Sequence, residues 1–159
     1  MRRPYRIALI IAAVVAFLII SGLLARAFSV GGAESDAITS LVKAEARGDG
    51  SAVIALIEGC SASPTCRAAA TALATRLRHP GTLSIPQLNP STSFSLGSTL
   101  GTARVAWFAG NSTARVQCVR VRHAGTVLSG FHVQLLIVSR RIASGADCPI
   151  HFGGATAGG

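Results

Sequence analysis

The sequence predicts an α+β protein: an N-terminal transmembrane helix, then about three helices packed on a curved antiparallel sheet of four to five strands. Three observations predict this. Residues Ile7 to Ala25 (IALIIAAVVAFLIISGLLA) form an uncharged run of 19 residues. Between Ser35 and Arg78 apolar residues recur at helical spacing. After Gly81 the period drops to two, and short turn-forming clusters separate the runs, the pattern of a meander.

The N-terminal run has the length of a membrane span, since about 20 helical residues cross the hydrocarbon core. Arg2, Arg3 and Arg6 precede it, whereas only Arg26 follows closely and the next base is Lys43. The positive-inside rule then places the N-terminus in the cytoplasm and the rest of the chain outside. The alternative is a signal peptide cleaved after Ala27, because Ala25-Arg26-Ala27 has the small-x-small form. Either reading exports the same domain. The expected organisation is a cytoplasmic stub and signal anchor over 1–27, a linker over 28–34 (FSVGGAE), an exported domain over 35–150 and a flexible Gly-rich tail over 151–159 (HFGGATAGG).

All four cysteines, Cys60, Cys66, Cys118 and Cys148, lie beyond the apolar run, which fits an oxidising compartment. Four cysteines allow three connectivities. Local order favours Cys60–Cys66, across a short loop, and Cys118–Cys148, clipping the C-terminal segment to a strand. Zinc is disfavoured. The spacings are not C-x-x-C, and His151 alone stands near a cysteine. No metal or cofactor is expected.

The first exported helix is expected from Ser35 or Asp36, with Ile38, Leu41, Val42 and Glu45–Ala46 on its inner face. Gly48 supplies its left-handed end, and Asp49 or Ser51 caps a second helix carrying Val53, Ile54, Leu56 and Ile57. Ser63-Pro64 opens a third helix, cap plus proline at the first turn, that runs to about Arg78. Strands are expected at 82–85, 91–96, 102–108, 113–122 and 127–141, with a loop over 86–91 and turns at Gly110-Asn111-Ser112 and Ala124-Gly125. On the last strand Phe131, Val133, Leu135 and Ile137 form the face expected beneath the helices, and His132, Gln134, Leu136 and Val138 the opposite one.

The formal net charge is +9; subtracting Arg2, Arg3, Arg6 and Arg26 leaves +5 for the exported part. Its bases are scattered and its compartment is extracytoplasmic, so nucleic acid is not an expected partner. Arg120, Arg122, Arg140 and Arg141 gather at strand ends, where charges discourage stray strand pairing. Arg47-Gly48-Asp49 reads as a helix stop and cap rather than an adhesion tripeptide.

Helix, Ala46-Arg47-Gly48-Asp49, second helix, and a final strand VLSGFHVQLLIVSRRI together resemble the nuclear-transport-factor-2-like family, the cystatin-like cone domains. The resemblance spans about residues 35–142. It implies a cone closed by helices on one side of a bent sheet. Anchored, exported domains of this kind resemble envelope accessory subunits that bind other proteins.

The fold hosts enzymes as well, so chemistry is weighed residue by residue. Isomerases on this cone need a tyrosine and a carboxylic acid in an apolar interior. The only tyrosine, Tyr5, precedes the membrane run, and none of the six carboxylates falls on an expected strand. Gly97-Ser98-Thr99-Leu100-Gly101 has threonine where a serine elbow needs serine. His132 is the one ionisable group expected to reach the cone. The expectation is a single-pass membrane domain, anchored through residues 7–25, that binds an envelope protein or a small apolar ligand without turnover. Its face would carry His132, Gln134 and Trp107. An enzyme using His132 in an apolar pocket, or a freely secreted domain, are the alternatives.

Overall fold

The computed structural model describes residues 3–91, 99–126, 130–149 and 155–156, with side chains placed for all but 3–6, 23–31, 126, 130–131 and 155–156. Helix α1 covers Arg3–Arg47, and the chain divides into two compact units, Met1–Gly32 and Ala33–Gly159.

The first unit is helical over its described length. Its large apolar side chains are well exposed, from 49% at Val15 to 67% at Phe17. Phe17, Leu18, Ile19 and Ile20 are all exposed, and four consecutive residues sample every side of a helix. Among the described residues no helix is long and apolar enough to cross a membrane. Side chains are placed in the run only from Ile7 to Gly22, which is 16 residues, fewer than the about 20 of a span. Residues 28–34, expected as a linker, are helical, so Ser35 and Asp36 stand inside α1 rather than at its N-cap. A helix already formed on both sides passes through Gly31 and Gly32 at about 1 kcal/mol each.

The second unit is an α+β sandwich of helices on a sheet. Ile38, Leu41, Val42, Glu45 and Ala46 of α1 are all buried, as the 3.6-residue period predicts. Gly48, at φ +75°, ends the helix. Asp49 caps α2 (Gly50–Leu56), its carboxylate accepting from the Ala52 amide at 3.0 Å. A 3-10 turn (Cys60–Ala62) follows. Ser63 then caps α3 (Pro64–Leu77), accepting from the Cys66 amide at 3.2 Å.

The sheet has the order β1-β2-β3-β4-β5, antiparallel throughout. Its strands are β1 (Leu83–Asn89), β2 (Thr99–Ala109), β3 (Arg115–Thr126), β4 (Gly130–Val138) and the two-residue β5 (Ala155–Thr156). β1 continues through Pro86 into the expected loop; an irregularity between Ser84 and Gln87 accommodates the proline, as an edge strand allows. Ala124-Gly125, expected as a turn, lies within β3, and β4 ends at Val138, short of the expected Arg141; residues 127–129, where the strand was expected to begin, lie outside the described residues. The expected strand at 91–96 falls outside the described residues except for Ser91. Most of the tail does too, apart from β5.

Odd-numbered residues of β2 and β3 face the helices: Ala103, Val105, Trp107, Val119 and Val121 are buried in the core. On the even face Cys118 is buried and bonded to Cys148, and Arg104 donates to the Ser144 carbonyl, so the C-terminal segment covers that side. Both disulfides join the cysteines that local order paired. Cα atoms lie 5.2 Å apart for Cys60–Cys66 and 5.7 Å apart for Cys118–Cys148.

The expected faces of β4 hold only in part. Val133 packs against the core and Leu135 is buried, but then the register shifts: Leu135 pairs with Val121 and Ile137 with Arg120. The extra residue, Leu136, is a bulge that reverses parity. Val138, expected on the outer face, is therefore 1% exposed, while Ile137 is only half-buried. The Leu135 carbonyl at this bulge accepts the Glu58 amide at 2.8 Å, docking the end of the α2 segment on the strand.

Candidate functional site

The residues expected to form one binding face are not brought together. His132 is exposed on the side of β4 away from the helices, opposite Ala124. Gln134 is half-buried on that side, opposite Arg122. Trp107 is fully buried on the helix side, its Nε1 donating to Gln117 Oε1 at 2.6 Å. It is a core residue and does not share a surface with the other two.

The ionisable groups inside the domain are others. Glu45 on α1 is completely buried, and Gln117 Nε2 donates to its Oε1 at 3.3 Å. Its Oε2 has no partner among the described residues. Burial pushes the Glu45 pKa up to about 8, with the Gln117 hydrogen bond pulling weakly the other way. Near neutral pH the group is thus mostly protonated, which is how a carboxyl is tolerated in this interior. Glu34, also on α1, makes a second buried cluster. Its Oε1 accepts the Ser91 amide at 2.7 Å. Its Oε2 accepts the Ser91 hydroxyl at 3.0 Å and lies 2.7 Å from His123 Nε2. The other ring nitrogen of His123 is 3.4 Å from Thr99 Oγ1. Gly101 lets Ser91 lie flush on the sheet, since a Cβ there would sit 2.2 Å from the Ser91 hydroxyl. This arrangement clasps α1 to the ends of β2 and β3. Helical spacing put Glu45 on the inner face but gave it no partner, and Glu34, assigned to the linker, was missed as an interior group because its partners Ser91 and His123 lie far along the chain.

One open cavity of about 520 Å³ is lined by Lys43, Ala46, Arg47, Arg78, His79, Pro80, Gly81 and Leu83. Lys43, Ala46 and Arg47 stand at i, i+3 and i+4, one face of the last turns of α1. Arg78 caps the C-terminal end of α3, and the following residues lead into β1. The His79 amide donates to the Ala46 carbonyl at 3.0 Å, holding the connection against α1. Gly48 lies against the Arg78 stem: a Cβ there would fall 2.8 Å from Arg78 Cδ. Behind His79 lies Arg115, which is 6% exposed. One of its guanidinium nitrogens is 2.7 and 3.0 Å from the two His79 ring nitrogens, and another donates to Ser112 Oγ at 3.0 Å. Its guanidinium lies 5.3 Å from the centre of the Trp107 ring. Burial, and then the nearby charge of Arg141, lower the Arg115 pKa from its ordinary value. The sequence signal for this cavity was present but unread: basic residues stand at the ends of α1 and α3, Arg47-Gly48 and Arg78-His79-Pro80-Gly81.

Among the described residues no group of His, Cys, Asp and Glu is arranged to hold a metal ion. No protein-family profile, curated protein or solved structure matches the chain.

Proposed function

We propose that this chain is a single-pass, membrane-anchored domain on the outer side of the cytoplasmic membrane, acting by binding rather than by turnover. The observation that carries the reading is the N-terminal helix. Its described residues are apolar on every side and exposed, and such a helix needs lipid or a partner around it. The two disulfides beyond it support an oxidising compartment. Helices followed by an antiparallel meander are the element order that the resemblance to exported cystatin-like binding domains implies.

Binding is favoured over catalysis by the placement of His132. It is exposed, and among the described residues no side chain is hydrogen-bonded to it, so nothing orients it as a base. The cavity described above is lined by charge, which favours an anionic ligand over an apolar one.

A reporter that folds only outside the cytoplasm, fused after Gly159, is expected to be active, and the protein is expected to stay with membranes through alkaline carbonate washing. N-terminal sequencing that starts at Phe28 would replace the anchor by a cleaved signal peptide. An active cytoplasmic reporter at the same C-terminal fusion would sink the proposed topology.

A further inference from the structure

We infer that the cavity between the ends of α1 and α3 is a binding site for a phosphate group carried on a small organic body. The inference rests on the reading of the domain as a binding module and names its ligand chemistry. Three positively charged side chains, Lys43, Arg47 and Arg78, line one cavity of about 520 Å³, and no carboxylate is among its described lining residues. None of these three forms an ion pair with a described carboxylate. Of the nearest acids by sequence, Glu45 is buried in the core, and Asp49, which accepts from Ser51 and Ala52 at the start of α2, lies near enough to Arg47 to offset part of its charge without forming an ion pair, so the bases of the cavity outnumber the acids beside them. Arg115 adds a fourth charge, buried behind His79 without a described carboxylate partner. Positive charge concentrated in this way repels itself unless an anion joins it.

Arginine forks match the oxygens of a phosphate, and a lysine supplies a movable point charge. Two arginines and a lysine suit a dianion better than a single carboxylate. The cavity falls in the range of about 300–1,000 Å³ typical of small-molecule sites, more room than a bare phosphate needs. Ala46, Pro80 and Leu83 line it as well and can meet the ligand's organic part. The Arg78 stem passes close over Gly48, where any larger residue would displace it.

The competing account is that these bases serve only the helices, because positive side chains stabilise C-terminal ends. It explains Arg47 and Arg78 singly. It predicts no ligand and does not require Arg115 behind the same wall.

Lys43 is the only lysine in the chain, so its reactivity toward an amine-acylating reagent, read by mass spectrometry, reports on this site alone. The full chain is placed in nanodiscs of phosphatidylcholine. Inorganic phosphate and glycerol 3-phosphate are titrated, with glycerol as the uncharged control. Both phosphates are expected to protect Lys43, glycerol 3-phosphate at the lower concentration. The double variant Arg47→Gln/Arg78→Gln should need about 100-fold more ligand, about tenfold per arginine contact. Arg76→Gln/Arg122→Gln, with the same net charge but exposed positions elsewhere, should match the wild type. Thermal melts of each variant confirm folding. Nanodiscs doped with phosphatidic acid distinguish the source. Lys43 protection without added ligand assigns the site to a lipid headgroup, and unchanged reactivity assigns it to a soluble phosphate. Absence of protection in both arms overturns the site, as does equal protection in the Arg47→Gln/Arg78→Gln variant. The membrane topology is measured separately and would stand after either failure.

Discussion

Glu45 makes the folded state depend on pH in a direction opposite to that of most carboxylates. Its pKa is raised from 4.5 to about 8 by burial. Below about pH 4.5 both the folded and the unfolded chain hold the proton. Between that point and about pH 8 only the folded chain does, so each unit of rising pH removes about 1.4 kcal/mol of stability. Above about pH 8 the loss levels off. Thermal midpoints are therefore expected to fall between pH 5 and pH 8, and Glu45→Gln should flatten that slope and melt higher than wild type at pH 8. An unchanged slope in Glu45→Gln would assign the pH dependence elsewhere. Glu34 has the ordinary role of a buried acceptor with three donors close by. Glu34→Ala strands the Ser91 amide and His123, and is expected to cost about 3 kcal/mol in denaturant melts.

Among the elements, β4 separates what the pattern could show from what it could not. Period-two alternation identified Val133 and Leu135 as inward residues, and they are. The bulge at Leu136 left no mark in that alternation, because every residue from Leu135 to Val138 is apolar. Leu135→Ala is expected to destabilise by about 2 to 5 kcal/mol and His132→Ala by no more than about 0.5. Val138→Ala should cost more than Ile137→Ala, the reverse of what an unbroken alternation gives; equal costs would argue against the bulge. Helices were more legible than strands. Their stops and caps are written in single residues, Gly48, Asp49 and Ser63-Pro64, whose backbone demands are local. Strand ends near Pro86 and Gly125 depend on neighbours far along the chain, and the sequence alone did not reveal them.

At the scale of the whole molecule, the cysteine pairing was legible because nearness along the chain is a constraint that depends on little else. The candidate site was not. Its lining comes from the end of α1 and from the connection between α3 and β1, segments that meet only when His79 bonds to Ala46. The two disulfides differ in what they hold. Cys60–Cys66 closes a separation of 6 residues inside the helical layer, and Cys118–Cys148 closes 30 and ties the C-terminal segment over the sheet. Chain-entropy estimates give about 2 and about 3.5 kcal/mol respectively. Cys118→Ser/Cys148→Ser should therefore lower the denaturation midpoint more than Cys60→Ser/Cys66→Ser does. The opposite ranking would show that the covering segment contributes little.

The pairing order also sets how the chain matures if it is delivered outside from its N-terminus onward. Each cysteine bonds to the next one to emerge, so no bridge has to be opened before the correct one can form. Cys118 waits as a thiol while 30 more residues are made, about 2 to 6 s at ordinary synthesis rates, and by then Cys60 and Cys66 can already have consumed each other. Maturation then requires an oxidant but no disulfide shuffling. Cells lacking a disulfide isomerase should yield the native bridges at normal levels, and cells lacking the oxidase should not.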